Sequence, residues 1–247
     1  MRHILGISVM LCLAIVGCNK PGAPDCFKSA GEYSADVRLQ GVEIESLDIA
    51  DLFITEIYPT EEEPSVVVLG PNNLIEEIET HYENGELTIR NNSTCDWVRD
   101  LSIRMKVRVF TSSLNHIKYN GTGGLSFADT MTTPYFRFDS NQGVQDAHLL
   151  LNSDSTEIVI QEGQCNVFLE GRAEKLSIFN QGLGKVMASA CESEVVLCHN
   201  ASPNRMEVRS NFYLYAKIVS SGDIAYRGDP DVQLDVDPSA TGQLIDL

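Results

Sequence analysis

From residue 113 onward, apolar residues separated by one position recur in pairs: Ile117/Tyr119, Phe136/Phe138, Ile158/Ile160, Leu176/Ile178, Val195/Leu197 and Ala216/Ile218. Turn chemistry follows the pairs, at Asn120-Gly121, Asn141 to Gly143, Glu162-Gly163, Gln181-Gly182, His199-Asn200 and Ser221-Gly222. A second pair comes next, as Val167/Leu169, Val186/Ala188, Met206/Val208 and Ile224/Tyr226. Strand, turn, strand and longer turn, repeated about every 20 residues, predict a β-solenoid. One coil cannot bury its inward face, but stacked coils can, each backbone pairing with the next at ~4.8 Å. A meander of antiparallel hairpins with the same period is the alternative reading.

Upstream, alternation again predicts strands, over Leu52 to Tyr58, Ser65 to Leu69 and Ser102 to Phe110. In the last of these Ile103, Met105, Val107 and Val109 share one face, and Arg104, Lys106 and Arg108 the other. Asn84-Gly85, between two alternating runs, has the chemistry of a type I′ hairpin turn, which needs positive φ at both central residues. Pro71-Asn72-Asn73 is suited to start one helical turn at Leu74 to Glu77. No segment carries a sustained 3.6-residue apolar stripe. The prediction is an all-β, right-handed parallel β-helix-like protein, with a strand-and-hairpin section at 35–112, repeats at 113–230 and a tail at 231–247.

The N-terminus follows a different rule. Ile4 to Val16 is almost wholly apolar, preceded by Arg2 and His3 and followed by the polar, proline-containing Asn19 to Asp25. The run is too short to span a bilayer and has the length of a signal-peptide core. Ile15-Val16-Gly17-Cys18 resembles the lipobox of bacterial lipoproteins. Residues 1–17 are therefore expected to be removed, Cys18 to carry lipid, and 18–34 to serve as the linker. An ordinary secreted protein is the alternative.

Charge narrows the partners. The chain carries −17, and loss of Arg2 makes the mature form one unit more acidic. Nucleic acid and anionic lipid surfaces would repel it. Of the seven cysteines, Cys12 lies in the signal and Cys18 takes the lipid. Cys26, Cys95, Cys165, Cys191 and Cys198 remain; they lack zinc-site spacing and are odd in number. Cys26–Cys95 is a candidate disulfide, and the other three are expected as buried thiols.

Ser221-Gly222-Asp223, with Tyr226, Gly228 and Pro230 after it, resembles the closing repeat of the family described as putative auto-transporter adhesin, head GIN domain. The Pro64-Ser65-Val66 segment, the Asn-Gly hairpin and the charged strand before Phe110 agree with it. The resemblance covers roughly residues 35–230. It implies an all-β, β-helix-like envelope protein and supplies no catalytic residues. Earlier turns, such as Glu162-Gly163-Gln164 and Asn200-Ala201-Ser202, lack its Gly-Ser-Gly-Asp pattern.

Chemistry is sparse. No zinc-helix, nucleophile-elbow or phosphate-loop motif is present, and no cofactor or metal is expected. His81, His116, His148 and His199 are dispersed and read as satisfied or solvated. Asp129, Asp139, Asp146 and Asp154 fall on neighbouring coils, and a solvated acidic face is preferred to a calcium-binding flank. Asp129-Thr130-Met131 and Asp154-Ser155-Thr156 resemble a short bacterial O-glycosylation pattern. The expectation is a non-enzymatic envelope lipoprotein, lipid-anchored at the outer membrane with its periplasmic or surface face open, that binds a protein or glycan partner or its own kind. A polysaccharide lyase or hydrolase on the same scaffold is the alternative.

Overall fold

The computed structural model describes residues 31–92 and 105–247. Among the described residues, eighteen strands form one continuous hydrogen-bonded sheet that winds into a β-solenoid. Strands β1 (Tyr33–Gln40), β2 (Ser46–Asp51), β3 (Ile54–Pro59) and β4 (Ser65–Pro71) lead to a single helical turn, α1 (Asn72–Ile75). Then come β5 (Ile78–Glu83), β6 (Glu86–Asn91), β7 (Lys106–Thr111), β8 (His116–Gly121), β9 (Leu125–Phe127) and β10 (Met131–Ser140). The three longest strands follow: β11 (Ala147–Ile160), β12 (Val167–Asn180) and β13 (Val186–Asn200). The chain closes with β14 (Met206–Arg209), β15 (Tyr213–Ile218), β16 (Ile224–Arg227), β17 (Asp231–Val236) and β18 (Leu244–Asp246).

Two parallel ladders run along the solenoid. The first passes through β6, β2, β8 and the C-terminal parts of β10, β11, β12 and β13 to β15 and β17. The second passes through β7, β3, β9 and the N-terminal parts of β11, β12 and β13 to β14, β16 and β18. The inward positions repeat more regularly than the sequence pairs do. Phe138, Ile158, Ile178 and Cys198 are direct neighbours at intervals of twenty residues, and Ala216 follows. All five side chains are buried. Tyr119 and Phe138 pack at 6.0 Å between ring centres, and Phe127 meets Phe136 edge-on at 5.9 Å.

Stacking order departs from chain order near the N-terminus. The β2–β3 rung lies between β6–β7 on one side and β8–β9 on the other. Charge helps fix this arrangement, because Glu56 on β3 accepts hydrogen bonds from Lys106 (2.7 Å) and Arg108 (2.8 Å) on β7. The end beyond β6–β7 is closed by antiparallel strands: β5 against β6, β4 against β7, and β1 against β4. The Asn84-Gly85 turn has φ of 50° and 83°, as a type I′ turn requires. Of the charged strand read from Ser102 to Phe110, residues 102–104 lie outside the described residues, as do Cys18, Cys26 and Cys95.

Residues 231–247, read as a tail, carry β17 and β18, which continue both ladders in parallel register. Val195 and Leu197 face outward, not inward; Val196 and Cys198 occupy the buried positions of β13. A strand with apolar residues on both faces gives two equivalent alternations, and only the neighbouring rungs choose between them.

Buried Cys165, Cys191 and Cys198 are free thiols. Burial pushes their pKa values up to about 12, 11 and 12. At pH 8 they should stay unreactive toward an alkylating reagent in the native protein and react once it is unfolded. Rapid native labelling of any of the three, read by mass spectrometry, would contradict their placement.

Candidate functional site

The residues of the Gly-Asp turn come together between β15, β16 and β17, and their contacts join rung to rung. A Cβ on Gly222 would lie 2.2 Å from the Asn204 carbonyl oxygen, so the turn packs directly on the one below it. The Gly222 N–H donates to Ser202 O at 3.1 Å. The Asp223 carboxylate accepts from the Gln243 N–H at 2.9 Å, in the rung above. Tyr226 packs against the core from a half-buried position. Gly228 has φ of 106°, and its missing Cβ leaves room for the Ser210 carbonyl. Ser221 and Pro230 border the same two turns.

The same edge carries asparagines that the sequence reading passed over. Asn200 is fully buried. Its amide nitrogen donates toward three carbonyl oxygens, of Asn204, Gly222 and Asp223, at 3.0–3.1 Å. Its side-chain oxygen accepts from the Ser202 N–H at 3.2 Å. In the preceding rung Asn180 donates to Gly184 O at 2.9 Å. The available signal was an asparagine at the apolar end of a strand beside a turn.

The titratable groups pair within the sheet. Arg137 grips Asp139 with two bonds of 2.7 and 2.8 Å and reaches Glu157 at 2.7 Å, while His116 Nε2 lies 2.7 Å from Asp139. Burial raises the pKa of Asp139, but hydrogen bonds from Arg137 and His116 outweigh it and hold the carboxyl below its usual range. Glu56 behaves alike: burial raises it, and Lys106 and Arg108 bring it lower. Depressed carboxylates stabilise the fold above their unfolded pKa of ~4, and that contribution disappears as pH falls through the folded value. The thermal midpoint should therefore drop from neutral pH into acid, and a Glu56→Gln/Asp139→Asn double variant should lose less over the same interval. Parallel profiles would refute this.

The four aspartates considered for calcium do not converge. Asp139 is paired with Arg137, Asp146 accepts from Asn166 at 2.8 Å, and Asp129 caps the Thr130 N–H at 2.7 Å. Asp154 is exposed. Among the described residues, no three His, Cys, Asp or Glu side chains gather to hold a metal ion. His148 stacks on Phe168 at 4.6 Å, His199 meets Phe179 edge-on at 4.9 Å, and His81 lies on the exposed hairpin.

The strongest departure from a plain solvated surface is on the outward side of the first ladder. Val195 and Leu197 of β13 lie beside Tyr213 and Tyr215 of β15, and Phe179 and His199 flank them. Phe212, at the neighbouring corner, is 71% exposed. At the C-terminal end, β17 and β18 are the last described rung, with Leu234, Val236 and Leu247 exposed.

These features can be set beside known proteins. The chain superposes on a putative adhesin from Bacteroides fragilis with a TM-score of 0.78 at 18% identity, covering 87% of this chain and 97% of that one. A putative adhesin from Parabacteroides distasonis gives 0.67 at 15%, covering 88% and 98%. A putative lipid binding protein from the same organism gives 0.64 at 17%, covering 87% and 97%. At such identities the likeness establishes the fold. No curated protein matches the sequence. The family model matches residues 42–230, and the chain belongs to the family described as putative auto-transporter adhesin, head GIN domain.

Proposed function

We propose that this chain is a non-enzymatic lipoprotein, attached to the outer membrane through lipid on Cys18, that displays its solenoid surface to a protein or glycan partner. One observation carries the reading: the outward face around Val195, Leu197, Tyr213 and Tyr215 is apolar and aromatic where a merely solvated sheet would be polar. Membership of an adhesin family and the signal-like N-terminus support it. Glu56, Arg137 and Asp139 are engaged in holding rungs together.

The anchor is tested by expressing the full chain and its Cys18→Ser variant and fractionating the cells. The wild type is expected in the membrane fraction, with a mature N-terminal peptide that begins at an acylated Cys18. The variant is expected in the soluble fraction. Soluble wild type, or an unmodified Cys18, would overturn the anchor.

The enzyme alternative would centre on Glu61 and Asp129, which border a cleft of about 220 Å3 also lined by Thr130 and Thr132. Release of reducing ends from a panel of polysaccharides, abolished by Asp129→Asn, would favour it over the binding reading.

A further inference from the structure

The apolar outward face is small, and polar groups border it on both neighbouring strands. Parallel register places Val195 beside Tyr213 and Leu197 beside Tyr215, and on the next strand it sets Asp231 and Gln233 beside the two tyrosines. The Tyr213 hydroxyl donates to Gln233 Oε1 at 2.6 Å, and the Tyr215 hydroxyl to Asp235 Oδ2 at 3.2 Å. Both rings are thereby tied to the neighbouring strand. Asp235 also holds Lys217, at 3.1 Å, and on the opposite side Lys175 and Ser177 of β12 stand beside Val195 and Leu197. Strands ~4.8 Å apart and alternate residues ~6.7 Å apart give the patch an area on the order of 200 Å². A stable protein interface needs about 800 Å² per partner.

We propose that this patch is a stacking platform for a neutral glycan, a reading that rests on the proposed binding function and names its ligand class. The apolar C–H faces of pyranose rings suit flat tyrosine rings fixed along a strand. Sugar hydroxyls suit the amide of Gln233 and the carboxylate of Asp231 at the rim. On the β17 side, Asp231 and Asp235, with Lys217 engaged by Asp235, select against uronic-acid and sulfated chains. A platform of this size takes a few sugar rings and leaves a protein partner too little area.

The test is affinity electrophoresis of the full-length protein in a detergent without a sugar head group. The gels contain a mannan, a galactan or a β-glucan, with polygalacturonate and heparin as anionic controls. The wild type should be retarded by at least one neutral polymer and by neither control. A Tyr213→Thr/Tyr215→Thr variant, which keeps β-forming residues on the outward face, should bind at least tenfold more weakly with an unchanged circular dichroism spectrum. If that variant is misfolded, Leu197→Thr supplies the same comparison. Retardation of the wild type by no neutral polymer, stronger binding to the anionic ones, or equal retardation of folded variants would overturn the proposal. So would sedimentation showing that the substitutions dissolve a dimer. Because the anchor is read by fractionation and the platform by binding, failure of one is distinguishable from failure of the other.

Discussion

Replacing Asn200 with leucine is expected to lower stability by about 3 kcal/mol, since three turn carbonyls lose their donor and the buried Ser202 N–H loses its acceptor. Steric strain should add little, because the same position in the rung above is Ile218, and two rungs below it is Ile160. The substitution thus isolates the hydrogen bonds. Asn180→Leu is the matched control. Asn180 makes one such donation, and its side-chain oxygen has no hydrogen-bond partner, so its loss should be about 1 kcal/mol. Denaturant unfolding of the two variants beside the wild type measures both. Equal losses, or a loss below about 1 kcal/mol for Asn200→Leu, would show that the turns are held by backbone stacking alone.

Gly171→Ala is expected to cost about 3 kcal/mol or more, through a different cause. Gly171 has φ of 106°, and a Cβ there would lie 2.1 Å from the Leu151 carbonyl oxygen. The register of β12 against β13 shifts between Phe168 and Glu170, immediately before it. Its partners at this level, Leu151 and Cys191, carry side chains and are buried, whereas Gly171 is exposed. Alignment by rung would therefore predict a harmless change, and the backbone predicts a severe one. The checks are the thermal midpoint and the susceptibility of the β11–β12 segment to protease. A midpoint within a degree or two of wild type would contradict the strain.

These two sites also mark what the sequence could disclose. Apolar pairs at a period near 20 residues were enough for the solenoid, because each coil must present its inward residues to the next at a fixed spacing. Asn84-Gly85 was legible because positive φ at two successive residues has few chemical solutions. The interleaving of β2–β3 between β6–β7 and β8–β9 was not legible, since it depends on pairing between segments far apart in the chain. Glu56 with Lys106 and Arg108 is its main chemical trace, and such pairs are common by chance. β17 shows the same alternation as earlier strands, at Val232, Leu234 and Val236, but it follows the closing turn motif and so reads as a tail. The candidate site was hidden by its own pattern. Val195 and Leu197 satisfy the inward alternation as well as Val196 and Cys198 do, and the outward platform emerges only when β12 and β15 fix the register. The motif residues Gly222, Asp223 and Gly228 stood out in sequence, and their visible contacts are those of close rung stacking.

An adhesin meets its partner outside the cell, so the proposed function implies display there, and protease shaving of intact cells tests it most directly. The wild-type protein is predicted to be cleaved by added protease while a periplasmic marker in the same cells stays whole. Protection of the chain until the outer membrane is permeabilised would contradict display and leave a scaffold facing the periplasm.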